Sequence, residues 1–364
     1  MGSNDKVRIS RVQLIMLIIG FLFVSRVLLN PAAAAKKDAW MALILAWAWG
    51  LALITLYTEI AARNPGKSLV GILTTNFGKA LGTVIALLYC FYFTFMASLI
   101  LLNFGQFIVI TVFPETPLSV ILALFALAVV YPVRCGIEVM GRLAELLVPF
   151  MVVPTLMLGL ALITSHDFTA FLPMLENGIV PVIVSAFSVM SFPYGETVIF
   201  LMIFLHVNKK ETIRKDCYIA FSIAGFLFLF VSFRDLFALG SDLLGRSVYS
   251  PNISAKLIPG ISIEPLIVVN LLVGAIKACI AIFASSEIIL QLLKIDEKKP
   301  IILIITEFSI VVSMWLFTNF FEYTHWVEHV WTLVCIPFEI IIPVILLVTS
   351  MIKQRKKGVN ASFH

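Results

Sequence analysis

Apolar residues fill this chain in long runs, separated by short polar stretches. About 20 apolar residues cross a hydrocarbon core. The pattern therefore predicts ten membrane spans, at 9–34, 38–62, 79–112, 116–133, 137–164, 179–207, 214–239, 264–292, 299–321 and 326–352. The third is long enough to tilt strongly. Runs of this length satisfy their backbone in lipid as helices. The fold class is an all-α polytopic membrane protein. Residues 1–352 form one transmembrane domain, and 353–364 form a basic tail.

One segment departs from the pattern. Met190-Ser191-Phe192-Pro193-Tyr194-Gly195-Glu196 lies inside the run from Ile179 to Val207. Pro193 has no N–H for the helical ladder and its ring clashes with the preceding turn. Glu196 is costly in hydrocarbon unless it meets a cavity or a partner. Broken helices at membrane depth are tolerated where they line a cavity, as in secondary transporters. The first span is irregular too, with Gly20, Ser25, Arg26 and Pro31. Irregular first spans in two five-span halves predict a five-plus-five inverted repeat, about 9–164 and 179–352, with helices 1 and 6 broken.

Composition agrees: 61% of the 364 residues are hydrophobic and 13% are charged. The net charge of +5 does not point to nucleic acid, because 19 of the 26 Lys and Arg fall at alternate span ends. The positive-inside rule then places both termini in the cytoplasm. The outer loops keep Lys36, Lys37, Arg246 and Lys256. A short amphipathic stretch, Leu69 to Phe77, is expected at the inner surface. The loop from Gly240 to Pro265 is expected outside, where it would cap a cavity. Cys90, Cys135, Cys217, Cys279 and Cys335 have no metal spacing and read as small buried side chains. No cleavable signal, phosphate-binding loop, cofactor motif or catalytic set is visible.

The candidate chemistry lies inside the spans. Glu196 reads as a proton-binding or ligand-contacting carboxylate. Arg26 has three readings: capture of a ligand carboxylate, an ion pair with Glu196, or snorkelling to the outer interface. Lys277 is central in span 8; it reads as a proton-exchanging or cation-replacing group, or as a structural partner for Glu145, Glu307 or Glu339. Ser285 and Ser286 lie two turns on and join it as ion-coupling candidates. Glu145, Glu307 and Glu339 read chiefly as helix-to-helix ties. Tyr89, Tyr92 and Phe93 share a helical face that reads chiefly as packing, with lining of a ligand cavity as the alternative. Arg234 and Asp235 read as an interfacial pair. His325 and His329 offer a metal only two ligands.

Ten spans with irregular first and sixth helices resemble the amino acid–polyamine–organocation transporter superfamily. Within it the chain resembles the spore germination permeases, the B subunits of spore germinant receptors. The features that carry this are Ser191 to Glu196, Asn64-Pro65-Gly66-Lys67-Ser68 after span 2, Arg134 to Leu143 before span 5, and the length with its basic tail. The resemblance implies a pocket between spans 1 and 6 for an amino acid or similar small nutrient, with ligand contacts at Val24, Ser25, Arg26, Tyr92, Phe192, Tyr194, Gly195 and Glu196. It implies A and C partner subunits in the spore inner membrane. Val24 and Arg26 stand where the family carries glycines, which puts its usual carboxylate cradle in question. A proton-coupled amino-acid transporter of the plasma membrane is the alternative. A scaffold or an ion- or water-conducting subunit closed by Arg26 is the third.

Overall fold

The structure, a computed structural model, describes residues 8–28, 32–162, 172–247, 249–258, 262–317 and 319–361. The Arg26 side chain, and with it the question of what Arg26 holds, lies outside the described residues. Among the described residues eight helices are long and apolar enough to cross a membrane, and Arg11–Ser25 is a shorter apolar helix. The elements used below are α1 (Arg11–Leu28), α2 (Ala39–Arg63), α3 (Leu69–Phe77), α4 (Lys79–Thr111), α5 (Leu118–Cys135), α6 (Ile137–Ala161), α7 (Val180–Val189), α8 (Ile213–Arg246), α9 (Ser250–Lys256), α10 (Glu264–Leu293), α11 (Lys298–Trp315), α12 (Phe320–Trp326), α13 (Thr332–Ile336) and α14 (Ile342–Ala361).

α10 runs against α4, α6 and α1, while α1 also packs on α8 and α6. α4 is 33 residues long; at 1.5 Å per residue that is about 50 Å, longer than a ~30 Å hydrocarbon core, so it crosses obliquely. Small residues let side chains approach a neighbouring backbone. A Cβ on Gly50 would fall 2.8 Å from the Tyr194 ring, so this glycine seats that ring on α2.

Contacts at one end of the bundle join the start of α1, the start of α8, the end of α2 and the later part of α14. Ile9 pairs with Val207 in an isolated parallel bridge. The Arg11 guanidinium forks onto Asp216, at 2.6 Å for its closest contact. Arg214 reaches Glu59 at 3.5 Å, and Arg63 donates to Gln354 at 2.9 Å. The start of α1 and the tail of α14 therefore share a side. α3 is seated here rather than lying loose: Ser68 caps it by accepting the Gly71 N–H at 3.3 Å, and Leu69, Val70, Ile72 and Leu73 are buried.

The opposite end is also tied. Asp38 accepts the Leu175 N–H at 3.1 Å, and Lys37 pairs with Glu176. Arg234 and Asp235 form the expected pair, at 2.7 Å, and both are buried within the protein. Both hold α9: Arg234 donates to the Pro251 carbonyl at 2.9 Å, and Ser254 donates to Asp235 at 2.6 Å. The loop expected to cap a cavity is thus partly a helix locked onto α8.

The Lys37 hydrogen bond and charge hold the Glu176 carboxyl below the usual glutamate range. A carboxylate depressed in the folded state adds stability above its unfolded value and loses it as pH falls through the folded value. Amide protection across residues 172–178, relative to the intrinsic exchange rate at each pH, is expected to fall below about pH 4. Lys37→Met is expected to remove that dependence; protection that stays constant through this range in the parent would contradict it.

Candidate functional site

Span 6 breaks where its chemistry requires. α7 gives way to a wide turn at Met190–Tyr194, in which Phe192 leaves the helical region (φ −116, ψ 109). A proline pushes its preceding residue towards extended backbone, and Pro193 follows. The chain resumes as a tight 3₁₀ helix over Gly195–Met202. Span 1 differs from expectation. α1 stays helical through Ser25 to Leu28, and the chain re-enters as a 3₁₀ segment, Ala33–Asp38, with Lys36 at φ 48. Its irregularity falls after Ser25, not at it.

The break delivers Glu196 to Lys277. Their closest contact is 2.6 Å, and each side chain is 1% exposed. Lys277 also donates to Ser25 Oγ at 2.7 Å. Its ammonium sits 4.5 Å from the centre of the Phe21 ring and 4.8 Å from that of Phe192, within cation–π range. Trp331 of span 10 lines the cavity beside the pair. Spans 1, 6, 8 and 10 thus converge on one buried pair. The Lys277 partner is none of the three carboxylates expected for it. Of those, Glu145 is exposed and accepts from Gln13, Glu307 is exposed, and Glu339 is fully buried.

A small cavity of about 20 Å³ adjoins the pair, which is space for about one water. Ser25, Phe192, Glu196 and Lys277 line it. So do Met96, Leu99, Ile100, Asn103 and Phe104 of α4, Tyr323 of α12, and Val327 and Trp331 of span 10, none of which the sequence singled out. The Asn103 side-chain oxygen is buried with no partner among the described residues.

The other expected contacts lie elsewhere. Val24 is buried but not on the cavity wall. Tyr194 turns away: its ring packs on Phe221 and Phe228, both at 5.5 Å. Ser285 donates to the Ala281 carbonyl at 3.0 Å, one turn back in its own helix, and the Ser286 hydroxyl is buried without a partner among the described residues. Tyr92 and Gly195 belong to a second cluster. Tyr92 stacks on Phe338, with ring centres 4.6 Å apart, and donates to Glu339 at 2.8 Å. Ser191 donates to the other Glu339 oxygen at 2.9 Å. Tyr57 donates to the carbonyls of Glu339, at 2.8 Å, and Gly195, at 3.2 Å.

Glu339 owes its place to the shape of span 10. That span widens twice, into π turns at Val327–Trp331 and Pro337–Ile341. Such turns cluster at functional sites. They carry Trp331 and Glu339. A signal for the second existed in the sequence: Pro337-Phe338-Glu339 repeats, in an apolar run, the proline-then-carboxylate order of Pro193 to Glu196.

A bundle whose broken sixth span meets spans 1, 8 and 10 at a buried ion pair is a permease-type architecture, and solved structures match it. The chain superposes on Mhp1, a nucleobase-cation-symport-1 family transporter, with a TM-score of 0.68 at 14% identity, covering 95% of this chain and 80% of that one. It superposes on MhsT, solved with L-phenylalanine, with a TM-score of 0.65 at 14% identity over 96% and 99%. At these identities the likeness is one of fold. The family is set by sequence: the family described as Spore germination protein matches residues 8–321, and the chain belongs to it. Spore germination protein KB of Bacillus subtilis (strain 168) is 30% identical over 97% of both chains. Spore germination protein A2 of the same strain is 29% identical over 54% of this chain and 53% of its own. The protein is a member of the spore germination permeases, built on a transporter fold.

Proposed function

We propose that this protein is the membrane B subunit of a germinant receptor, and that a small zwitterionic nutrient, an amino acid or a close relative, binds between Glu196 and Lys277. The observation that carries this reading is the buried Glu196–Lys277 pair at the break of span 6. A molecule bearing both an ammonium and a carboxylate can part the pair and satisfy each half. Phe192, Ser25 and Trp331 supply the surrounding wall, and Arg26 follows Ser25 at the same level of span 1. Even the smallest amino acid needs several times the present 20 Å³. Entry therefore requires the spans to move, and the ligand shifts the equilibrium by its differential affinity for the opened state. A and C subunits would receive that movement, in the spore inner membrane, with both termini in the cytoplasm.

The fold neighbours favour a second reading, a proton-coupled transporter of the plasma membrane, with Glu196 or Lys277 carrying the proton and Ser285 and Ser286 beside its path. Uptake into proteoliposomes holding the full-length protein separates the two. The receptor reading predicts that amino acids stabilise the protein but do not accumulate when a proton gradient is imposed. Gradient-driven accumulation would overturn it in favour of transport.

A further inference from the structure

Glu339 has no task in the binding scheme above, yet it is fully buried at the bend of span 6. We propose that Glu339 is a proton-binding site that latches the bend of span 6 to span 10. The groups facing it are few. α2 offers Tyr57, whose hydroxyl serves backbone carbonyls. α4 offers Tyr89, which donates to the Phe338 carbonyl at 2.6 Å, and Tyr92, which donates to Glu339 itself. α13 offers the Cys335 thiol, 3.6 Å from the Tyr92 hydroxyl. The bend offers Ser191 and, beyond it, Glu196. The nearby cation from α10 is Lys277, and it is committed to Glu196 at 2.6 Å.

Two carboxylates therefore share one ammonium in a buried site. With both ionised, one negative charge has no ion-pair partner among the described residues, and an unpaired buried charge is strongly disfavoured. A bound proton removes it. The resulting carboxylic acid donates one hydrogen bond and accepts others, and the Ser191 and Tyr92 hydroxyls can each do both. Release gives the proton to water that reaches the site on opening, and leaves an anion that competes with Glu196 for Lys277. The latch sits on the bend itself: a Cβ on Gly195 would fall 2.1 Å from Glu339 Oε2. This proposal does not depend on the identity of the nutrient.

Infrared difference spectroscopy on the full-length protein in liposomes tests it, with thermal unfolding checking that each variant is folded. The expected result is a carboxylic-acid C=O band at neutral pH that is lost in Glu339→Gln, shifted in Tyr92→Phe, and kept in the double variant Glu196→Gln, Lys277→Met, which removes the competing carboxylate and the ammonium together. Absence of the band in the parent, its survival in Glu339→Gln, or its loss in the double variant would overturn the proposal. A band that Tyr92→Phe leaves unshifted would overturn the geometry. Should Glu339→Gln fail to fold, Ser191→Ala supplies the same reading, since it must shift the band.

Discussion

Lys277→Met is expected to cost the folded protein about 3–5 kcal/mol, because it leaves Glu196 buried without a counter-charge. Both side chains are 1% exposed, so water cannot take over the role of the ammonium. Glu196→Gln in the same chain is expected to recover most of the loss. A neutral amide beside a methionine asks far less of its surroundings than a lone carboxylate. Thermal unfolding of the two single variants and the double variant, in one detergent at one pH, measures this. The account requires the double variant to be more stable than Lys277→Met alone. Equal losses would mean that the pair is not coupled.

Gly195→Ala is the second large effect. Its Cβ would fall 2.1 Å from the Oε2 of Glu339 and 2.4 Å from its Cδ. Neither partner can yield easily. Tyr92 and Ser191 pin the carboxylate, and the Tyr57 hydrogen bond pins the Gly195 carbonyl. Overpacking of a fixed site costs about 1–3 kcal/mol, and here the strain falls on the bend that presents Glu196. The variant is expected to lose stability and nutrient response together. Glu339→Ala in the same chain is expected to relieve the stability loss, because it removes the clashing group. Gly71→Ala is the control, since its nearest neighbour would be a flexible Lys67 side chain at 3.4 Å. If Gly195→Ala unfolds at the parent's temperature, the packing described here is incorrect.

The break in span 6 was legible because its cause is local. Pro193 removes a donor and constrains Phe192, whatever surrounds them. The same holds for α3, signalled by the amphipathic run Leu69 to Phe77. What escaped the sequence is set across the bundle. Glu196 and Lys277 are 81 residues apart, and spacing within a helix does not tell which side chain lies opposite. One reading of Arg26 paired it with Glu196, and one reading of Lys277 paired it with Glu145, Glu307 or Glu339. Nor does one carboxylate in an apolar run declare its face: Glu145, Glu307 and Glu339 looked alike, and packing alone buries Glu339. The α4 wall of the cavity was illegible for a related reason. Met96, Leu99 and Ile100 are ordinary apolar residues, and only the crossing of α10 over α4 makes them lining. Span 10 carried a hint in Pro337, but its two π turns depend on neighbours that accept the widened backbone.

The central claim is that a zwitterion binds by parting Glu196 from Lys277. Ligand-induced stabilisation of the purified full-length protein tests it most directly. A bound ligand at about 100 times its dissociation constant adds about 2.7 kcal/mol, readily seen as a shift in unfolding temperature. The account predicts that at least one amino acid raises that temperature, that the matching amine lacking the carboxylate and acid lacking the ammonium do not, and that Glu196→Gln abolishes the shift. An undiminished shift in Glu196→Gln, or equal binding of the single-charge analogues, would contradict it.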